Sequence, residues 1–76
     1  GTKFWYKDDL LHRLDGPAIE YANGAKYWYI DDYLHRIDGP AIEYTDGYKA
    51  WYINGKRIEV YSNEELLRLV KLMVFI

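Results

Sequence analysis

The chain has no cysteine, two prolines, one methionine and a single serine, Ser62. Without cysteine there is neither a disulfide staple nor a thiolate zinc site. One serine and no cysteine leave few nucleophiles, and no glycine-rich loop opens a helix to cradle phosphate. Excess charge is also scarce: 10 Lys plus Arg stand against 12 Asp plus Glu, a net charge of −2. No overall field attracts a phosphate backbone, which disfavours a general nucleic-acid binder. The longest apolar run, Leu66 to Ile76, is broken by Arg68 and Lys71. It falls short of the roughly 20 apolar residues that a membrane span requires. The missing cysteines and the absence of a leader-like opening point to a cytoplasmic setting.

Aromatic residues are what the chain has in quantity, with three Trp, nine Tyr and two Phe among 76 residues. A chain this short forms one domain, residues 1–76, with a small core, and bulky side chains compensate for the missing staples.

Those residues recur. Residues 5–27 and 28–50 match at 16 of 23 positions without a gap, and a partial third copy runs over 51–61. A fixed 23-residue period means stacked copies of one supersecondary unit. Asn23-Gly24, Asp46-Gly47 and Asn54-Gly55 supply the dipeptides of two-residue hairpin turns. Asp8-Asp9 and Asp31-Asp32, at the positions equivalent to Asn54-Gly55, favour turns through side-chain to backbone bonds. Five turns join about six antiparallel strands, near 3–7, 10–21, 25–30, 33–44, 48–53 and 56–61, each pairing with the next. The expected fold is mainly β, a hairpin-repeat meander whose curled sheet is capped by a C-terminal helix.

Two-residue turns set the register, so faces follow by counting. Ile42 should oppose Trp51, and Tyr44 should oppose Lys49. One face, taken as the core, collects Trp5, His12, Leu14, Ile19, Tyr21, Trp28, Ile30, Tyr33, His35, Ile37, Ile42, Tyr44, Trp51, Ile53 and Ile58. The other carries Phe4, Tyr6, Arg13, Glu20, Tyr27, Tyr29, Arg36, Glu43, Tyr52, Arg57 and Glu59. Asp15-Gly16-Pro17 and Asp38-Gly39-Pro40 interrupt strict alternation and read as bulges that bend the strands. After Tyr61 the period becomes helical. Ser62 or Asn63 can cap, Glu64 and Glu65 suit the first turn, and Leu66, Leu69, Val70 and Met73 share a face. The helix is expected over about 63–75, lying as a lid in the mouth of the sheet. Leu67, Val74, Phe75 and Ile76 add further apolar surface.

The unit His12-Arg13-Leu14-Asp15-Gly16-Pro17-Ala18, repeated as His35-Arg36-Ile37-Asp38-Gly39-Pro40-Ala41 and followed by an Asn/Asp-Gly turn and Trp-Tyr, resembles the MORN repeat in a variant form. The resemblance covers residues 4–58. It departs from the common pattern in placing Arg13 and Arg36 where Gly usually follows His, and in one extra residue between Trp and His. It implies a meander of β-hairpins serving as a binding or scaffolding surface, similar to small repeat proteins of bacteria and their phages.

His12 and His35 with Asp15 and Asp38 are the obvious candidates for a metal site or proton transfer. The third copy places Ile58 where the first two place His, which favours a packing role with ring nitrogens bonded to backbone or Tyr hydroxyl groups. Asp15 and Asp38 precede Gly-Pro and suit backbone capping of the bend. Catalytic, cofactor and metal residues are therefore expected to be none. Tyr6, Arg13, Tyr27, Tyr29, Arg36, Tyr52 and Arg57 form the candidate protein-contact set, because Tyr and Arg dominate interface hot spots. The expected function is a non-enzymatic protein-binding module that inhibits or recruits a host protein of unknown identity. A lipid-surface scaffold is the alternative, weakened by the low net charge, and a metal-dependent hydrolase the distant one. Exposed first and last strands make a homodimer the natural form of self-association.

Overall fold

A computed structural model describes residues 1–74, with the backbone alone for Met73 and Val74. Phe75 and Ile76, and the side chains of Met73 and Val74, lie outside the described residues, and with them the apolar surface expected at the end of the helix.

The elements run β1 (Lys3–Phe4), β2 (Tyr6–Lys7), β3 (Leu10–Leu11), β4 (Ile19–Glu20), β5 (Lys26–Tyr27), β6 (Tyr29–Ile30), β7 (Tyr33–Leu34), β8 (Ile42–Glu43), β9 (Lys49–Ile53), β10 (Lys56–Ile58) and α1 (Asn63–Val74). The fold is mainly antiparallel β with one C-terminal helix. β1-β4-β5-β8-β9-β10 form an open six-stranded sheet, and the hairpins β2-β3 and β6-β7 form two small sheets beside it. The expected six strands are present in order, but four of them are broken. Residues 3–7 and 25–30 break at Trp5 and Trp28, while 10–21 and 33–44 keep strand geometry only near their ends. The interruption at Asp-Gly-Pro is therefore a whole loop, over 12–18 and 35–41, rather than a one-residue bulge.

The turns correct the register. Asp8 and Asp9 (φ 52° and 66°), Asp31 and Asp32 (50° and 69°) and Asn54 and Gly55 (51° and 81°) all carry two left-handed residues in a row. These are the two-residue mirror-type turns, tolerated by Asp because its short side chain bonds locally. At Asn23-Gly24 and Asp46-Gly47 only the glycine is left-handed. There Tyr21 N–H donates to Ala25 O and Tyr44 N–H to Tyr48 O, so the loop holds three residues. The pairing slips by one: Ile42 opposes Ala50 and Glu43 opposes Lys49.

A one-residue slip reverses every side chain. Phe4, Ile19, Tyr27, Ile42 and Ala50 now lie in one cross-strand row, and Lys3, Glu20, Lys26, Glu43 and Lys49 in the adjacent row that points to the other face. The second row alternates in charge across five strands, the arrangement that cross-strand pairing favours. Tyr21 and Tyr44, assigned to the core by counting, are exposed, and so are Leu14, Tyr33 and Ile37. The slipped turns move the first pair. Leu14 and Ile37 sit in the loops, where strand alternation has no meaning.

The buried residues are small or near the helix: Ala18, Ile19, Ala25, Ala41, Ile42, Ala50, Trp51, Val60 and Leu66. α1 packs Leu66 and Val70 against Trp51, Ile53, Ile58 and Val60, all from the third copy. It covers the last hairpin instead of spanning the trough as a lid. Ser62 Oγ accepts the Glu65 N–H at 3.2 Å, the expected cap, and Glu64 and Glu65 occupy the first turn. Asn63 Oδ1 accepts from Trp51 Nε1 at 2.9 Å and ties the helix start to the sheet. No helix among the described residues is long and apolar enough to cross a membrane.

Candidate functional site: two unlike faces of one sheet

On the charged face each complete repeat builds the same cluster. The Arg13 guanidinium lies 3.9 Å from the Trp5 ring centroid, and that of Arg36 lies 3.9 Å from the Trp28 ring. Arg13 Nε donates to Asp15 at 3.1 Å, and its terminal nitrogen donates to Pro17 O at 3.1 Å and to Glu20 at 3.2 Å. Arg36 repeats this with Asp38, Pro40 O and Glu43 at 2.9, 3.0 and 3.0 Å. A Cβ on Gly16 or Gly39 would stand 2.9 or 2.6 Å from the guanidinium carbon, so glycine is what lets arginine slide between loop and indole. Asp15 and Asp38 clamp this guanidinium, where a cap of the bend was expected. The arginines stack on Trp5 and Trp28 rather than lying among the tyrosines with which counting grouped them.

The histidines join repeats. His35 Nδ1 accepts from Asn54 N–H at 3.0 Å, and His12 Nδ1 lies 3.3 Å from Asp31 N and 3.0 Å from Asp31 Oδ1. Each imidazole reaches the turn one period ahead. The third copy has no turn beyond it, and Ile58 stands in the equivalent slot and packs against the Trp51 cluster. His12, His35, Asp15 and Asp38 are thus engaged separately, and no three metal-ligating side chains come together among the described residues. Between the two Arg–Trp stacks lies an open groove of about 730 Å³, lined among others by Leu14, Trp28, Ile30, His35 and Ile37.

The opposite face is aromatic. Phe4 and Tyr6 stack at 6.3 Å between centroids, Tyr21 meets Tyr27 edge-on at 5.2 Å, and Tyr27 and Tyr29 stack at 6.5 Å. Tyr27 and Tyr44 lie 6.0 Å apart, and Tyr44 and Tyr48 lie 5.2 Å apart. The Tyr27 hydroxyl donates to that of Tyr44 at 2.9 Å. This bond first, and burial second, hold the Tyr27 phenol far above its ordinary pKa. Burial also raises the pKa of the Tyr29 phenol, with Tyr21, Asp32 and Tyr52 adding to the shift. Tyr52 opposes Arg57 across β9 and β10, so both extend this face.

Of the seven expected contact residues, Tyr6, Tyr27, Tyr29, Tyr52 and Arg57 share the aromatic face. Arg13 and Arg36 belong to the other face, held against Trp5 and Trp28. Counting missed Tyr21, Tyr44 and Tyr48. The three-residue spacing Ala22-Asn23-Gly24 and Thr45-Asp46-Gly47, with glycine last, is the signal that would have placed them. Comparison with protein-family models, with curated proteins and with solved structures finds no match.

Proposed function

We propose that this chain is a protein-binding module of MORN-like repeats, with the aromatic face as its contact surface. One observation carries the proposal: Phe4, Tyr6, Tyr21, Tyr44 and Tyr48 are each more than a third exposed on one side of an open sheet. Contiguous exposed aromatic surface marks interaction sites. Tyrosine suits the task because a large rigid ring supplies contact area at low entropic cost, and the hydroxyl accepts a wet rim. The clustered rings restrain one another before a partner arrives, which lowers the ordering cost of binding. Reaction chemistry would need one unique acid, base or nucleophile, whereas the polar clusters here are duplicated and mutually satisfied.

The test is affinity capture with the whole chain against Tyr6→Glu/Tyr44→Glu/Tyr48→Glu, with Leu14→Ser/Ile37→Ser as the groove control. The proposal expects one saturable protein partner that the tyrosine variant loses and the groove variant keeps, at unchanged circular dichroism. Equal capture by wild type and the folded tyrosine variant overturns it.

A further inference from the structure

The helix that covers the third copy shows what the Arg–Trp groove is shaped to hold. α1 seats Leu66 and Val70 against Trp51, Ile53, Ile58 and Val60. One 23-residue period earlier the same four positions are Trp28, Ile30, His35 and Ile37. All four line the groove between the two stacks. The groove is therefore a second seat of the kind that α1 occupies, continuous with the first along the repeat. It is built wholly by residues 13–38, inside the two complete repeats, and owes nothing to what lies beyond either end of the chain.

The two seats differ in cover. Val60 is 6% exposed beneath α1, whereas Ile37, its equivalent in the groove, is 52% exposed and Leu14 on the facing wall 84%. The indole donors differ in the same way. Trp51 Nε1 donates to Asn63 Oδ1 at the start of α1, at 2.9 Å. Among the described residues no acceptor meets Trp28 Nε1, and the atom is not sealed from solvent. The rim differs in charge. Asp15 and Asp38 line the groove with side chains 88% and 80% exposed, and each arginine is shared by two carboxylates, so both walls are net acidic. In the third copy Tyr61 stands in the place of Asp38.

We infer that the Arg–Trp groove docks an amphipathic helix of a separate protein. The helix presents an Asn-like acceptor to Trp28 Nε1 and, at the spacing of Leu66 and Val70, two branched aliphatic side chains to Ile30 and Ile37. Arg36 already covers one face of the Trp28 ring, so the helix meets the indole at its edge. Lys or Arg flanks the aliphatic pair, opposite Asp15 and Asp38. A second copy of this chain does not supply such a helix. Its Leu66 is fully buried against its own third hairpin, and its flanking positions carry Leu67 and Leu69. α1 reaches its seat on a short tether, Tyr61 and Ser62. A helix offered from outside lacks that advantage, and binds weakly enough to be read by titration and lost in affinity capture. The site is independent of the aromatic face.

The experiment titrates the full ¹⁵N-labelled chain with a peptide of the residue 62–72 sequence carrying Leu67→Lys and Leu69→Lys. An Arg68→Lys substitution is joined to Glu64 by a lactam, four residues apart on the side away from Leu66 and Val70, which holds the helix before binding. The inference expects a saturable shift of the Trp28 indole N–H and of the Leu14 and Ile37 amides, with the Trp51 indole unmoved. The Asn63→Ala peptide should bind about fivefold weaker. The Leu66→Ala/Val70→Ala peptide should not saturate. Leu67→Glu and Leu69→Glu flanks should bind about threefold weaker than lysine flanks, a gap that closes in an Asp15→Asn/Asp38→Asn chain. The Leu14→Ser/Ile37→Ser chain should lose the peptide while keeping the partner of the tyrosine face, so the two readings fail separately. No saturable shift, shifts centred on the tyrosines, equal binding by the two flank peptides, or displacement of α1 seen at the Trp51 indole each overturn it. So do the same shifts on concentrating the chain alone, which would assign the groove to a second copy.

Discussion

Arg36 places its guanidinium 3.9 Å above the Trp28 ring while bonding Asp38, Pro40 O and Glu43 from the same planar fork. Arg13 does the same over Trp5. One side chain thus ties the Asp-Gly-Pro loop to the strand before it and to the strand after it. In the third copy Glu59 occupies the equivalent position, and Trp51 is covered by Val60 and Leu66 instead. The helix does for the last indole what arginine does for the first two.

Replacing Arg36 by lysine should therefore be far from conservative. An ammonium cannot stack flat on the indole and reach the same three oxygens. Combining a partly desolvated cation–π contact with charge-assisted bonds, the expected loss is about 2 kcal/mol by urea denaturation. A loss within about 0.5 kcal/mol, the range of ordinary surface substitutions, would remove arginine from the interior of the repeat.

Gly39→Ala tests the same cluster from the other side. The added methyl would meet the Arg36 guanidinium carbon at 2.6 Å, and the loop or the arginine must shift. Overpacking of this kind costs about 1–3 kcal/mol. In the Arg36→Ala background the penalty should largely vanish, and a double-mutant cycle measures the coupling.

Stability should decline in alkali. Tyr27 and Tyr29 hold their protons more tightly in the folded chain than the unfolded chain does. Below about pH 10 both states are protonated and these groups contribute no pH dependence. Above it the unfolded chain loses protons first, so the free energy of unfolding falls as pH rises toward the folded values. Tyr44→Phe removes the bond that raises Tyr27, and should flatten that decline relative to wild type. Parallel pH profiles for the two proteins, measured by denaturation at fixed pH, would contradict the assignment.

Leu66 is fully buried against the third hairpin. Leu66→Ala should cost about 2–5 kcal/mol. That is a large part of what a chain this size can hold, so the helical signal in circular dichroism should be weak near room temperature. Leu67 and Leu72, exposed on the same helix, should tolerate alanine with little change.

Much of the architecture was legible in the sequence. The period, the strand order, the capped helix and the packing role of the Ile58 slot come from repeated residues and spacing. What failed was sidedness. Asn-Gly and Asp-Gly read equally well as two-residue turns or as the end of three-residue ones, and the flanking Tyr21 and Tyr44 give no hydrophobic alternation to decide between them. The one-residue difference moved both tyrosines out of the core and parted Arg13 and Arg36 from Tyr29. The Arg–Trp stack was hidden for another reason: it depends on Gly16 and Gly39 leaving space, a tertiary effect that no local propensity encodes.

The claim on which the functional account rests is that partners dock on the tyrosines and not on the Arg–Trp groove. Hydroxyl-radical footprinting of the captured complex measures this residue by residue. Protection of Tyr6, Tyr44 and Tyr48, with Leu14 and Ile37 as reactive as in the free chain, is the result the account predicts. Protection of Leu14 and Ile37 with unchanged tyrosines would contradict it.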